Sequence, residues 1–196
     1  MASFALNLRR AVLGFALGSA LGLTLVISAP YCAAAQYHDN SIRDSSVHDR
    51  PQMVSFFTGF QLNRFNHGVP LTIGGRYYFP IVPNGFIPKL NDEFGIEGGF
   101  DLLFLFDDYD DHTHFGFGVP VDALWDFHFS RIFDAYVKLG FIFGNVFHAG
   151  NGNRSYDGFW FDFRPAVGMR LKINDVLYFR AEAGYPFVMA GLGFGF

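Results

Sequence analysis

Charged residues between positions 76 and 182 recur at spacings of two and four: Glu97 and Asp101, Asp122 and Asp126, Asp134 and Lys138, Asp162 and Arg164, Arg170 and Lys172, Arg180 and Glu182, with Arg76 ahead of them. On an extended chain, residues two or four apart share one face. Seven acids against six bases are close to neutral, so the chemistry this set offers is mutual ion pairing. Other groupings offer less. The run Asp107-Asp108-Tyr109-Asp110-Asp111-His112-Thr113-His114 concentrates carboxylates. It lacks the glycine at position six and the glutamate at position twelve of a calcium-binding EF-hand loop. It reads as a solvated acidic loop. His38, Asp39, His48 and Asp49 lie in a polar, aperiodic stretch, where metal ligands would lack a fixed geometry. No metal and no cofactor is assigned. His128 and Ser130 have the types of a base and a nucleophile, but that chemistry needs an acid as third partner. They read as a turn-proximal pair, and no catalytic residue is assigned.

The elements that must position these charges follow from residue parity. Eight extended segments are predicted, at about 53–62, 69–81, 93–106, 114–129, 132–148, 157–173, and two sharing 176–196. In the sixth, Phe159, Phe161, Phe163, Val167, Met169, Leu171 and Ile173 alternate with Trp160, Asp162, Arg164, Arg170 and Lys172. In the fourth, Phe115, Phe117, Val119, Val121, Ala123, Trp125, Phe127 and Phe129 alternate with Asp122, Asp126 and His128. A parity switch near Tyr185 to Phe187 predicts a tight turn, after which Val188, Ala190, Leu192, Phe194 and Phe196 share the apolar face. The apolar faces are too numerous and too aromatic for one small core. They fit an all-β fold: an eight-stranded, antiparallel, up-and-down transmembrane β-barrel, apolar outside and charged inside. A soluble ligand-binding barrel would need the opposite parity.

Connections at Ser130-Arg131 and Asn174-Asp175 are short and polar, as inner turns should be. Residues 82–92 make a longer inner connection. Outer loops are predicted at 63–68, 107–113 and 149–156, with Asn151-Gly152-Asn153 as a turn signal. Pro120 and Pro165 fall inside strands and each removes a ladder donor, so a bulge is expected at both.

Composition agrees. Of 196 residues, 19% are aromatic, with 27 phenylalanines, and only 16% are charged. Arg9 and Arg10 precede a charge-free apolar stretch from Ala11 to Ile27, and Ala33-Ala34-Ala35 provides an Ala-x-Ala cleavage site. Residues 1–35 therefore read as a cleaved signal peptide, 36–52 as a flexible periplasmic leader and 53–196 as the barrel. Cys32, the single cysteine, falls in the signal, so no disulfide or thiol chemistry is expected of the mature chain. The 14 Lys and Arg less Arg9 and Arg10 leave 12 against 18 Asp and Glu, a net charge of −6. That balance argues against nucleic acid as a partner.

An eight-stranded interior is just wide enough for side chains, and buried charges must be paired. The interior therefore reads as a salt-bridged plug; a narrow solute or ion pore is the alternative. The glycines at 184, 191, 193 and 195 read as packing choices, because no strand–Gly–helix context for a nucleotide exists.

Signal, eight alternating strands and a closing Leu192, Phe194, Phe196 resemble the small bacterial outer-membrane barrels of the OmpA and OmpX kind. The resemblance covers about residues 53–196. It implies the cell outer membrane as location and outer-membrane lipid and lipopolysaccharide as partners, with the barrel acting as a monomer. It also implies that Leu192, Phe194 and Phe196 are a signal to the barrel-assembly machinery. No sequence for a peptidoglycan-binding domain follows the barrel, so a cell-wall tether is not implied. The function expected is structural or surface-interacting. His128-Phe129-Ser130 also resembles the His-x-Ser pair of eight-stranded lipid A deacylases, which would make a lipid A-modifying enzyme the third reading. The glutamate that family supplies from the next strand is missing here; Asp134 stands at a different offset.

Overall fold

The computed structural model describes residues 42–43, 50–61, 70–106, 113–149 and 158–196. The predicted signal 1–35 lies outside the described residues, as do most of the leader and of the three predicted outer loops. The remainder forms nine strand segments: β1 Met53–Gln61, β2 Leu71–Val82, β3 Asp92–Phe106, β4 Thr113–His128, β5 Phe133–Ala149, β6 Gly158–Phe163, β7 Ala166–Lys172, β8 Leu177–Gly184 and β9 Phe187–Gly195. Each pairs antiparallel with its neighbours along the chain, except that β5 carries both β6 and β7. Pairing of β1 with β9 closes the sheet on itself. Because β6 and β7 continue one line along β5, the nine segments make eight staves of a closed, up-and-down barrel.

Alternation drives this arrangement. In β1, Met53, Ser55, Phe57, Gly59 and Gln61 are buried, while Phe56 and Thr58 are exposed. Exposed phenylalanines recur on the outer parity of every sector, among them Phe79, Phe100, Phe117, Phe141, Phe161 and Phe194. The inner parity holds glycine, charge and tyrosine. At Gly168 a β-carbon would lie 2.3 Å from the Tyr136 ring, so glycine there makes room for a buried aromatic.

The prolines behave differently from expectation. No register shift accompanies Pro120: it stands opposite Ile142 in an unbroken β4–β5 register. At Pro165 the ladder lapses between β6 and β7, yet the partners on β5 stay in step, from Phe141↔Phe163 to Lys138↔Ala166. Its neighbour Arg164 still donates its backbone N–H to Gly140 at 2.8 Å. A missing donor is thus accommodated by a gap in hydrogen bonding and not by an extra residue. The shift in register lies at Pro80/Val82, where β2 meets the start of β3. The predicted tight turn is present at Tyr185 and Pro186, joined by a cis peptide. The strands differ greatly in length: β5 has 17 residues, β8 has 8.

Candidate functional site

The interior is the candidate site, and its charges lie in layers. At the end where the chain enters, Glu93 gathers several partners. The Tyr78 hydroxyl donates to it at 2.8 Å. Arg50 Nε lies 3.3 Å away, His128 Nε2 and Arg170 Nη2 each 3.6 Å. Arg170 is also ion-paired with Asp126, and its guanidinium lies over the rings of Tyr78 and Tyr136 at 5.3 and 5.7 Å. Arg50 further donates to the Pro83 carbonyl and to Asn91 Oδ1, at 3.1 and 2.5 Å. A residue of the leader thereby straps the β2–β3 connection across this mouth.

The middle layer is a four-membered ring of alternating charge. Lys138 Nζ donates to Glu97 at 2.6 Å and to both oxygens of Glu182 at 2.8 Å. Arg180 closes the ring, 2.7 Å from Glu97 and 3.1 Å from Glu182. It also donates to Ser55 Oγ and to the Tyr136 hydroxyl, which in turn donates to Glu182. All four charged side chains are 0–1% exposed. These groups come from β3, β5 and β8, so the ring ties walls that are not neighbours in the sheet. Charges desolvated this far are tolerable only when each is matched and hydrogen-bonded.

Above the ring, Arg76 pairs with Asp101 at 2.6 Å and donates to the Phe100 carbonyl at 2.8 Å. Arg164 stands 3.7 Å from Asp101 and 3.6 Å from Asp122, its guanidinium 4.0 Å from the centre of the Phe187 ring. Beyond it the interior turns apolar, with Leu103, Ile142, Val146 and Trp160 packed together.

Of the charges predicted to line the interior, Arg76, Glu97, Asp101, Asp122, Asp126, Lys138, Arg164, Arg170, Arg180 and Glu182 are buried in these layers. Asp134 lies at the mouth, 2.8 Å from His128 Nδ1. Asp162 is half-buried in β6. Lys172 departs from its expected place. It is at the rim, paired at 3.1 Å with the exposed Asp175 of the β7–β8 turn, because it is the last residue of β7 and no further layer of the interior lies beyond it. Ser130 is exposed and accepts the backbone N–H of Phe133 at 3.1 Å. It caps the β4–β5 turn, while His128 is turned to Asp134 and Glu93. The acidic segment 107–112 lies outside the described residues.

Several members of the site were not among the predicted residues, Glu93, Asp92 and Arg50 among them. Glu93 shares the parity of Glu97 and Asp101 and was findable on that signal. Asp92 has the opposite parity, yet it is fully buried, accepting from Trp125 Nε1 at 2.8 Å and from the Phe86 N–H at 3.1 Å. The long β2–β3 connection folds Phe86 against Phe94 and Trp125 on the outer surface, and that packing carried no local sequence signal.

A closed eight-stranded barrel, apolar without and charge-packed within, is the architecture of the small outer-membrane barrels. Among solved structures, the chain shares this fold with Ail, the attachment invasion locus protein of Yersinia pestis. The two are 14% identical with a TM-score of 0.52, over 76% of this chain and all (100%) of that one. Ail in complex with the heparin analogue sucrose octasulfate aligns with a TM-score of 0.48 at 14% identity, over 74% of this chain and 97% of that one. The N-terminal β-barrel domain of Pseudomonas aeruginosa OprF gives 0.46 at 15% identity, over 74% and 96%. No family model and no curated protein matches the sequence.

Proposed function

We propose that this chain is an integral outer-membrane barrel with a closed interior, serving the envelope as a structural or surface-interacting protein and not as a conduit or an enzyme. The single observation behind this reading is the Glu97–Lys138–Glu182–Arg180 ring. It crosses the bore between separated walls with no exposed charge, and an eight-stranded bore has little width to spare. A solute would have to break several buried ion pairs to pass. The outer parity supports the bilayer setting: Phe56, Phe100, Phe141 and Phe161 are half or more exposed, or nearly so, a surface suited to lipid and not to water. Outer-membrane lipid and lipopolysaccharide are its proposed partners, and Leu192, Phe194 and Phe196 its proposed assembly signal.

Two measurements test this. Cell fractionation should place the protein in the outer membrane, with heat-modifiable migration on gels; recovery in buffer without detergent would overturn the membrane reading. In a planar bilayer the purified barrel should be silent. Steady single-channel openings would overturn the closed interior and favour a pore.

A further inference from the structure

His114 and His148 stand directly opposite one another in the β4–β5 ladder. The register between these strands is unbroken from Thr113↔Ala149 to His128↔Asp134. Parity puts both histidine positions on the inner face: 114 continues the buried positions Gly116, Gly118 and Asp122, and 148 continues Val146, Gly144 and Ile142. The rest of the ladder fixes the hydrogen-bond phase of the pair. The Arg164 N–H donates to the Gly140 carbonyl, so even-numbered residues of β5 turn their backbone groups to β6. The His128 N–H donates to the Asn91 carbonyl, so even-numbered residues of β4 turn theirs toward β3. His114 and His148 are therefore a non-hydrogen-bonded antiparallel pair. Cα atoms of such a pair come within about 4.5 Å, the closest approach two strands offer their side chains.

We propose that this pair binds one divalent transition-metal ion of the Zn²⁺, Ni²⁺ or Cu²⁺ class, held by two imidazoles across the strands. Imidazole is a ligand these ions favour, and Zn²⁺ takes it at about 2 Å, so two rings on so close a pair can share one ion. Ca²⁺ and Mg²⁺ prefer oxygen ligands, which a histidine pair does not supply. Charge favours cations here as well. Four of the seven residues before His114 are Asp107, Asp108, Asp110 and Asp111, and a concentration of one sign raises the local level of counter-ions. Among the described residues no group of three His, Cys, Asp or Glu gathers to hold an ion, so the site rests on the pair itself. His114 follows the predicted outer loop at 107–113, and His148 precedes the one at 149–156. An ion shared between them clamps the bases of both loops and gives the outer surface a metal-dependent shape. This goes beyond the closed-barrel reading and departs from the sequence expectation of no metal.

Calorimetric titration of the purified barrel, without a histidine tag and stripped with a chelator, should show one Zn²⁺ bound per chain. Ni²⁺ and Cu²⁺ should compete for the site; Ca²⁺ and Mg²⁺ should not. His114→Ala and His148→Ala should each weaken binding about tenfold or more, because each removes half of a chelate. Adding Phe147→His to His148→Ala supplies the same ring on the opposite face of β5 and should not restore binding. Heat-modifiable migration checks that every variant is a folded barrel. No saturable Zn²⁺ binding, unchanged affinity in either single variant, restoration by Phe147→His, or displacement of Zn²⁺ by Ca²⁺ would overturn the proposal. Channel recordings read the closed interior separately, so either conclusion can fail without the other.

Discussion

Replacing Lys138 by methionine tests how far the interior ring holds the barrel together. Methionine keeps most of the stem and removes the charge. Three contacts are lost: Glu97 at 2.6 Å, Glu182 at 2.8 Å and Asp122 at 3.7 Å. Among the buried charges of the middle and upper layers, Glu97, Asp101, Asp122 and Glu182 then face only Arg76, Arg164 and Arg180. A unit pair about 3 Å apart is worth roughly 5–6 kcal/mol at an effective dielectric near 20. Relief of the ammonium's own desolvation offsets part of this, and one-sided breakage of a buried pair typically nets about 3–5 kcal/mol. Lys138→Met should therefore lose stability by about that amount. The double variant Lys138→Met/Glu182→Gln removes one charge of each sign and leaves a carbonyl to accept from Tyr136. It should lie closer to the parent than Lys138→Met alone, with a coupling of about 2 kcal/mol or more. Urea titration of barrels refolded into lipid vesicles, followed by tryptophan fluorescence and gel migration, reads both values. A single-variant loss under about 1 kcal/mol, or a double variant equal to the sum of the singles, would refute the reasoning.

Two further outcomes follow from packing and from the closing strand. Gly168→Ala should cost about 1–3 kcal/mol in the same titration, because its β-carbon would meet the Tyr136 ring at 2.3 Å and that ring is held by Glu182 and Arg180. Gly158→Ala, which meets nothing within 4 Å, is the neutral control. Phe196→Ala should lower the amount of barrel assembled in cells while leaving refolding into vesicles unchanged, since Phe196 is 70% exposed and is tied to the Gln52 carbonyl at 3.0 Å through its backbone N–H, which the substitution keeps. Equal loss in both assays would assign Phe196 to stability and not to assembly.

Much of the barrel was legible because parity is a local property. A one-residue slip would have sent Arg180 into lipid and Phe179 into the bore, so each strand's inner set could be read without its neighbours. Pairing is not local in that way. Nothing in the sequence says that Lys138 meets Glu182 and not Asp134 four residues earlier on its own face. The staggered registers bring them together. Three misplacements have similar causes. Lys172 keeps the right parity but ends β7 at the rim, where the nearest acid is Asp175 of the following turn. Pro120 and Pro165 lack a donor, yet a ladder with glycine and charge around it can drop one bond and hold its register. Arg50 lies in a segment too polar and aperiodic to read as structure, but it reaches Glu93 because the β2–β3 connection supplies Pro83 and Asn91 beside it.

The same distinction separates the two ends of the molecule. Toward the mouth where the chain enters, every charged layer is closed by groups from opposite walls, and β8 and β9 stand level with β1 through β5. Farther out, the hairpin at Tyr185 and Pro186 ends the short walls while β5 runs on to Ala149. The interior changes with it, from ion pairs to Leu103, Ile142, Val146 and Trp160. Among the described residues, β6 on the tall side is paired with β5 alone. The buried ion pairs are therefore a property of the short-walled half, and the tall half is held by apolar packing. Variants of the ring should therefore lower the urea midpoint, whereas Phe159→Ala, at a side chain 74% exposed on the tall side, should leave it nearly unchanged.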